Sequence, residues 1–163
     1  MLQRDAFIEE INKKLNQDQN IYFLSADFGA AALDDLRKRF PNNFLHCGIS
    51  EQMMLDLAAG FALEGSQVFV YAMAPFLSLR SIEQTKCGAG LMNLPICLLS
   101  VGIGLGYADA GPTHYATPCA ASDDERQAGQ GQRPGSQSRG SRTHSRGLRP
   151  CRRTAHARLW WLR

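Results

Sequence analysis

An acidic side chain at a helix start is the first feature of the sequence that suggests chemistry. Residues 46–56 read HCGISEQMMLD, so Glu51 follows a glycine and a serine and begins an apolar helical pattern. Glu51 either complements the positive end of the helix dipole, an effect of about 0.3–1 kcal/mol, or acts as a functional acid. A carboxylate fixed on a rigid element away from water is suited to exchanging a proton with a ligand.

Two further polar residues, Asp27 and His114, lie in segments that the sequence predicts to be loops. Asp27 directly follows an apolar run, where an aspartate either contacts a ligand or forms an Asx turn or a helix cap. His114 lies in the loop sequence GPTH; an imidazole titrates near neutrality and suits proton transfer, although loop histidines are mostly surface residues. Arg80 lies in a helical pattern, where phosphate binding and a helical salt bridge both remain open.

The elements that would position these residues alternate along residues 1–117. Four runs rich in strand formers, IYFLSA, FLHCG, VFVYAMA and PICLLSV, are separated by segments with helical periodicity. The alternation predicts an α/β fold, a parallel sheet with helices on both faces. Ser50 is expected to cap a helix from Glu51 to about Glu64, and a helix after Pro75 is expected to end at the glycines of residues 88–90.

Composition limits the class of protein. The chain has 163 residues, 44% of them hydrophobic, which suits one globular domain, and no apolar run is long enough to cross a bilayer. The N-terminus lacks a secretory layout. Five cysteines without a Cys-x-x-Cys pair indicate free thiols and no metal site. We therefore expect a cytoplasmic protein without a membrane partner.

The last 46 residues differ in composition from the rest. Residues 1–117 contain eight Lys and Arg against twelve Asp and Glu, whereas residues 118–163 contain ten Arg against three acids. This Arg/Ser/Gly-rich tail has too few apolar residues to offset the entropy of ordering it, which predicts disorder. A basic tail suits RNA binding, but lysine-free text of this kind is also typical of an out-of-frame reading. We favour the second interpretation, since the body shows no matching nucleic-acid element.

Four segments, in order, resemble the pyrimidine-binding domain of transketolase-like thiamine-diphosphate enzymes. They are SADFGAA (25–31), GISEQMMLDLAAGFALEG (48–65), APFLSLRSIEQTK (74–86) and GYADAGPTHYAT (106–117). Together they are far more specific than any one of them. The resemblance covers residues 1–117 and ends there, so it implies an incomplete domain followed by the tail.

The resemblance implies a role for each candidate residue. Glu51 matches the family glutamate that binds the pyrimidine nitrogen N1′ of thiamine diphosphate and shares a proton with it. Phe76 matches an aromatic ring against the aminopyrimidine, although a phenylalanine at a helix start is otherwise a core residue. His114 matches a histidine that faces the sugar substrate, and Asp27 matches an aspartate near the cofactor.

A partner is also implied. Family members hold the diphosphate through Mg²⁺ with a Gly-Asp-Gly motif on a separate domain, and that motif does not occur in this sequence. Gly102, Gly104 and Gly106 are only weakly similar to a phosphate loop. We therefore expect a homo- or hetero-oligomer in which another subunit carries the Gly-Asp-Gly motif.

The resemblance favours a transketolase-like subunit or fragment that transfers a two-carbon ketol unit between sugar phosphates. Alternatives are a subunit similar to deoxyxylulose-phosphate synthase or to the β subunit of a 2-oxoacid dehydrogenase. A different class is a non-catalytic interaction module or an RNA-binding remnant.

Overall fold

A parallel β-sheet forms the centre of the chain. The computed structural model describes residues 2–26 and 31–116, and the backbone of residues 158–162. The strands are β1 (Ile21–Ser25), β2 (Phe44–His46), β3 (Gln67–Met73), β4 (Ile96–Val101) and β5 (Arg158–Leu162), in the order β2-β1-β3-β4-β5. All four pairings are parallel. The predicted fold class and its four strands within residues 1–117 are confirmed.

Two helices cover one face of the sheet. They are α1 (Gln3–Leu15) and α2 (Ala31–Arg39). Their apolar stripes pack on alternate strand residues, since side chains at every second strand position share a face. The buried members of this layer include Ile8, Ile11, Leu15, Leu33, Leu36, Phe23, Phe69 and Tyr71.

The other face is covered by α3 (Glu51–Leu63) and by a helical region after β3. That region has π-helical turns at Phe76–Arg80 and Thr85–Leu91 on either side of the single turn α4 (Ile82–Gln84). The sequence predicted that this region ends at the glycines of residues 88–90, but it ends one residue later, at Leu91. A Cβ at Gly88 would lie 3.7 Å from the Ala59 Cβ, so these small residues instead let the region approach α3 closely.

Both ends of α3 have specific local structure. Ser50 occupies the position before the helix, but its hydroxyl donates to the Cys47 carbonyl at 2.5 Å and does not cap the helix. The expected side-chain cap is therefore wrong. At the other end Gly65 has φ +87°, and the N–H groups of Gly65 and Ser66 donate to the carbonyls of Ala62 and Phe61. This Schellman motif explains why a glycine ends the helix.

Strand β5 corrects part of the prediction for the tail. Residues Arg158–Leu162 pair with β4 in parallel, from Cys97 opposite Arg158 to Val101 opposite Leu162. The prediction of disorder is wrong for these five residues, because their RLWWL sequence is rich in strand formers and β4 would otherwise expose an unpaired edge. The rest of residues 118–163 lies outside the described residues.

Removing β5 should expose the edge of β4. We expect a chain that stops after residue 157 to form larger species than the full chain, since an unpaired strand edge is a template for intermolecular pairing. Size-exclusion chromatography with light scattering at several concentrations measures this. The control replaces only residues 121–125, outside β5, and should elute like the full chain. Identical elution of the shortened and full chains would show that β5 does not protect this edge.

Membrane-spanning helices are not found in the part of the chain that the structure describes. No helix there has both the length and the apolar character needed to cross a bilayer.

Candidate active site

The carboxyl edge of the sheet brings three of the four predicted site residues to one place. Glu51 follows β2, Phe76 follows β3, and His114 follows β4 through a loop. The chain runs outward from β1 in one direction to β2 and in the other to β3 and β4. Ligands of open parallel sheets bind where the strand order reverses in this way. The crevice at this edge is therefore the candidate site.

Glu51 is held at this edge by the turn between β2 and α3. Gly48 has φ +68°, a conformation that favours glycine, and Ser50 N–H donates to the Gly48 carbonyl at 2.9 Å. The turn places Glu51 at the first residue of α3, where its side chain is only 3% exposed. A carboxylate so buried requires a charged or hydrogen-bonding partner.

Arg80 provides that partner. Its Nη1 donates to Glu51 Oε2 at 2.6 Å, and the Arg80 side chain remains 39% exposed. The sequence left Arg80 unassigned, and a contact between residues 29 positions apart carries no sequence signal. The contact is a salt bridge between two elements, Glu51 at the start of α3 and Arg80 in the helical region after β3. Since Glu51 is buried and Arg80 reaches solvent, the pair joins the interior of the site to its surface.

Phe76 and His114 extend the cluster. The Arg80 guanidinium carbon lies 4.3 Å from the centre of the Phe76 ring, within the range of a cation–π contact. The His114 and Phe76 rings meet edge to face, with centres 5.2 Å apart. His114 ends the 3₁₀ turn Pro112–His114, and the Thr113 hydroxyl lies 3.0 Å from its Nδ1. Glu51, Arg80, Phe76 and His114 therefore form one continuous chain of contacts.

The loop that carries His114 is closed by a hydrogen bond between its two ends. Ala116 N–H donates to the Gly104 carbonyl at 2.8 Å, and Gly111 has φ +84° before the turn. Gly102 is needed for a different reason: a Cβ there would lie 2.1 Å from Tyr107 Cε2. Gly102 therefore serves close packing of the loop, whereas Gly111 serves its backbone conformation.

Asp27 lies outside the described residues, so its predicted position near the cofactor stays a prediction.

Cys47, between β2 and Glu51, is half-buried, and burial raises the pKa of its thiol. Its thiol therefore stays protonated near neutral pH. Within the described ranges, no group of three or more His, Cys, Asp or Glu side chains is arranged to hold a metal ion.

The donor set fits an aminopyrimidine. Glu51 presents a buried carboxylate that already binds one planar nitrogen group, and Phe76 presents an aromatic face that already stacks with the same group. A pyrimidine that carries ring nitrogens and an amino group makes the same two kinds of contact. The fold and site define a parallel α/β domain with a buried carboxylate at the carboxyl edge of its sheet.

Comparison with known proteins gives this class a family. The family described as "Transketolase, pyrimidine binding domain" matches residues 1–121. The chain belongs to this transketolase pyrimidine-binding domain family. One subunit of the apulose-4-phosphate transketolase of Phocaeicola vulgatus is 33% identical over 114 residues, which are 69% of this chain and 36% of that protein.

A second group of relatives has a longer chain. The 1-deoxy-D-xylulose-5-phosphate synthase of Prochlorococcus marinus is 34% identical over 110 residues, which are 67% of this chain and 17% of the synthase. This chain therefore spans about a third of the first relative and a sixth of the second.

Solved structures share the fold. Transketolase from Campylobacter jejuni superposes with a TM-score of 0.67 at 22% identity, covering 77% of this chain and 20% of that chain. A structure described as "Split gene transketolase, inactive beta4 tetramer" superposes with a TM-score of 0.58 at 24% identity, covering 64% and 35%. At these identities the likeness concerns the fold alone.

Proposed function

We propose that this chain is the pyrimidine-binding part of a thiamine-diphosphate enzyme that transfers a two-carbon ketol unit between sugar phosphates. One observation carries the proposal: Glu51, in the first turn of α3, is buried at the carboxyl edge of the sheet. A carboxylate is costly to bury unless it is paired, and buried ionisable groups of this kind cluster at functional sites. Family membership and the position of Glu51 indicate that this carboxylate binds the pyrimidine ring of the cofactor.

Each residue of the cluster has a proposed role. Thiamine diphosphate, when bound, supplies the nucleophilic carbon of the reaction. Glu51 binds the pyrimidine nitrogen N1′ and shares a proton with it, which low polarity around the carboxylate favours. Phe76 holds the flat face of the pyrimidine, and His114 moves protons at substrate hydroxyl groups. Asp27 is retained as a cofactor contact on the resemblance alone.

A partner completes the site in this proposal. Two apolar residues close to Glu51 in the sequence are exposed, Ile49 by 82% and Met53 by 49%, and a partner subunit would cover them. The relative from Phocaeicola vulgatus is itself named as one subunit of a transketolase. We assign the cofactor's diphosphate and its Mg²⁺ to a partner that carries the Gly-Asp-Gly motif, because this chain lacks it.

The substrate class rests on the relatives. The Phocaeicola vulgatus relative is named as a transketolase of a sugar phosphate, and the GPTH loop places His114 beside Phe76, where a sugar hydroxyl can reach it. Formation of 1-deoxyxylulose 5-phosphate is the second candidate, because the synthase relative is equally similar at 34% identity. We further propose a cytoplasmic location, in keeping with the free thiols of Cys47 and Cys87.

Reconstitution with a partner tests the proposed function. The full chain is mixed with a second protein that carries a Gly-Asp-Gly motif, and ketol transfer between sugar phosphates is measured with a coupled assay. We expect activity only when both proteins, thiamine diphosphate and Mg²⁺ are present. Synthesis of 1-deoxyxylulose 5-phosphate instead would select the second candidate. Absence of thiamine-diphosphate binding by the assembled pair would overturn both.

A further inference from the structure

Arg80 contacts the two groups that are assigned to the cofactor. Its guanidinium donates to Glu51 Oε2 at 2.6 Å and stacks over the Phe76 ring at 4.3 Å. These are the carboxylate and the aromatic face that would receive the aminopyrimidine. While the Arg80 guanidinium holds Oε2 and this face of the ring, a pyrimidine cannot bind the same oxygen and the same face.

We propose that Arg80 occupies the pyrimidine position of the unloaded chain and must leave when the cofactor binds. The inference rests on the proposed function, since it takes Glu51 and Phe76 as the cofactor contacts. It makes Arg80 a positioning residue that sets the apparent affinity of the site. A ligand that needs a state populated only in part binds more weakly by that fraction.

The physical basis is the different burial of the two partners. Glu51, at 3% exposure, cannot exchange Arg80 for bulk water, whereas Arg80, at 39% exposure, can leave Glu51 for bulk water. The carboxylate therefore always needs a partner from the protein or from a ligand. Arg80 keeps the carboxylate paired while the site is unloaded, and the pyrimidine takes over that role on binding.

Arg80 lies where the helical backbone becomes irregular. It is the last residue of the π-helical turn Phe76–Arg80, and the following Ser81 has φ −114° and ψ 28°, outside helical values. Helical order is therefore interrupted directly after Arg80. A π-helical turn within a helical region is often associated with functional sites. The guanidinium can therefore leave Glu51 through a change at Arg80 alone, while the helical region stays folded.

Thiamine binding tests the competition, because thiamine carries the pyrimidine without the diphosphate. The full chain and its Arg80→Gln variant are titrated with thiamine by calorimetry, and thermal unfolding is measured without ligand. We expect Arg80→Gln to unfold at a lower temperature yet bind thiamine about tenfold more tightly, as follows if Arg80 occupies the carboxylate about nine-tenths of the time. Lys86→Gln, which removes an exposed charge from the same helical region, is the control and should bind like the full chain.

Labelling of Arg80 gives a second readout. Phenylglyoxal modifies accessible arginines, and peptide mapping by mass spectrometry follows Arg80 in the unaltered chain. Added thiamine should increase its labelling, because the guanidinium moves into solvent. Protection of Arg80 by thiamine would instead make it a direct ligand contact and overturn the displacement.

Failure of this inference is distinguishable from failure of the proposed function. If Arg80→Gln binds thiamine no more tightly than the unaltered chain while Glu51→Gln abolishes binding, only the competition is overturned. If Glu51→Gln leaves thiamine binding unchanged, or if the chain binds no thiamine even when assembled with the partner that carries the Gly-Asp-Gly motif, the proposed function and the competition fail together.

Discussion

Glu51→Gln is expected to reduce ketol transfer by about 10²–10⁴-fold in the reconstituted enzyme, the range attributed to a general acid–base group. The amide has the same shape, and its oxygen can still accept the Arg80 Nη1 hydrogen bond that Glu51 Oε2 accepts at 2.6 Å. It cannot share a proton with the pyrimidine nitrogen. Activity should therefore fall without unfolding of the chain.

The measurements for Glu51→Gln are the rate at saturating cofactor and the midpoint of urea unfolding. Glu64→Gln is the matched control, because Glu64 is an exposed glutamate at the opposite end of α3. It should retain full activity. A Glu51→Gln enzyme as active as the Glu64→Gln enzyme would show that Glu51 only complements the helix dipole.

Phe23→Ala is expected to cause the largest loss of stability, about 3–5 kcal/mol in the free energy of unfolding. Phe23 lies in β1 and is fully buried. Its ring lies 5.6 Å from that of Phe44 and 6.1 Å from that of Tyr71. Its removal leaves a cavity among three strands of the sheet. Such a loss is a large part of the stability of an ordinary domain, about 5–15 kcal/mol.

Urea unfolding followed by circular dichroism measures this loss. Phe7→Ala is the control, because Phe7 is only partly buried on α1, and its ring meets that of Phe69 edge to face with centres 6.0 Å apart. Its loss should be clearly smaller. Equal losses of stability for the two variants would show that Phe23 is not at the centre of the core.

The order of strands and helices could be predicted because it depends on periodicity along the chain. Buried parallel strands are continuous apolar runs, and the helices between them show apolar residues at helical spacing. The termination of α3 at Gly65 could also be predicted, because a left-handed position after a helix favours glycine. Each of these features is local, so a short stretch of sequence contains the whole signal.

Other local predictions failed in detail, because residue type alone selects neither one contact nor one exact boundary. Ser50 has the right residue type for a helix cap, yet its hydroxyl donates to the Cys47 carbonyl. Gly88 and Gly90 have the right type for a helix end, yet the helical turn continues one residue beyond them, to Leu91. Residue type states what a position can do, and the neighbouring elements select among the possibilities.

Local patterns and motifs were sufficient for the α/β class, for the position of Glu51 at a helix start and for the expectation that Phe76 and His114 belong to the same site. The pairing of Arg80 with Glu51 across 29 positions, and the position of β5 beside β4, became visible only in the folded chain. The reason is that a contact between distant residues depends on the path of the whole chain. Sheet order and helix packing bring such residues together, and the local sequence pattern determines neither of them.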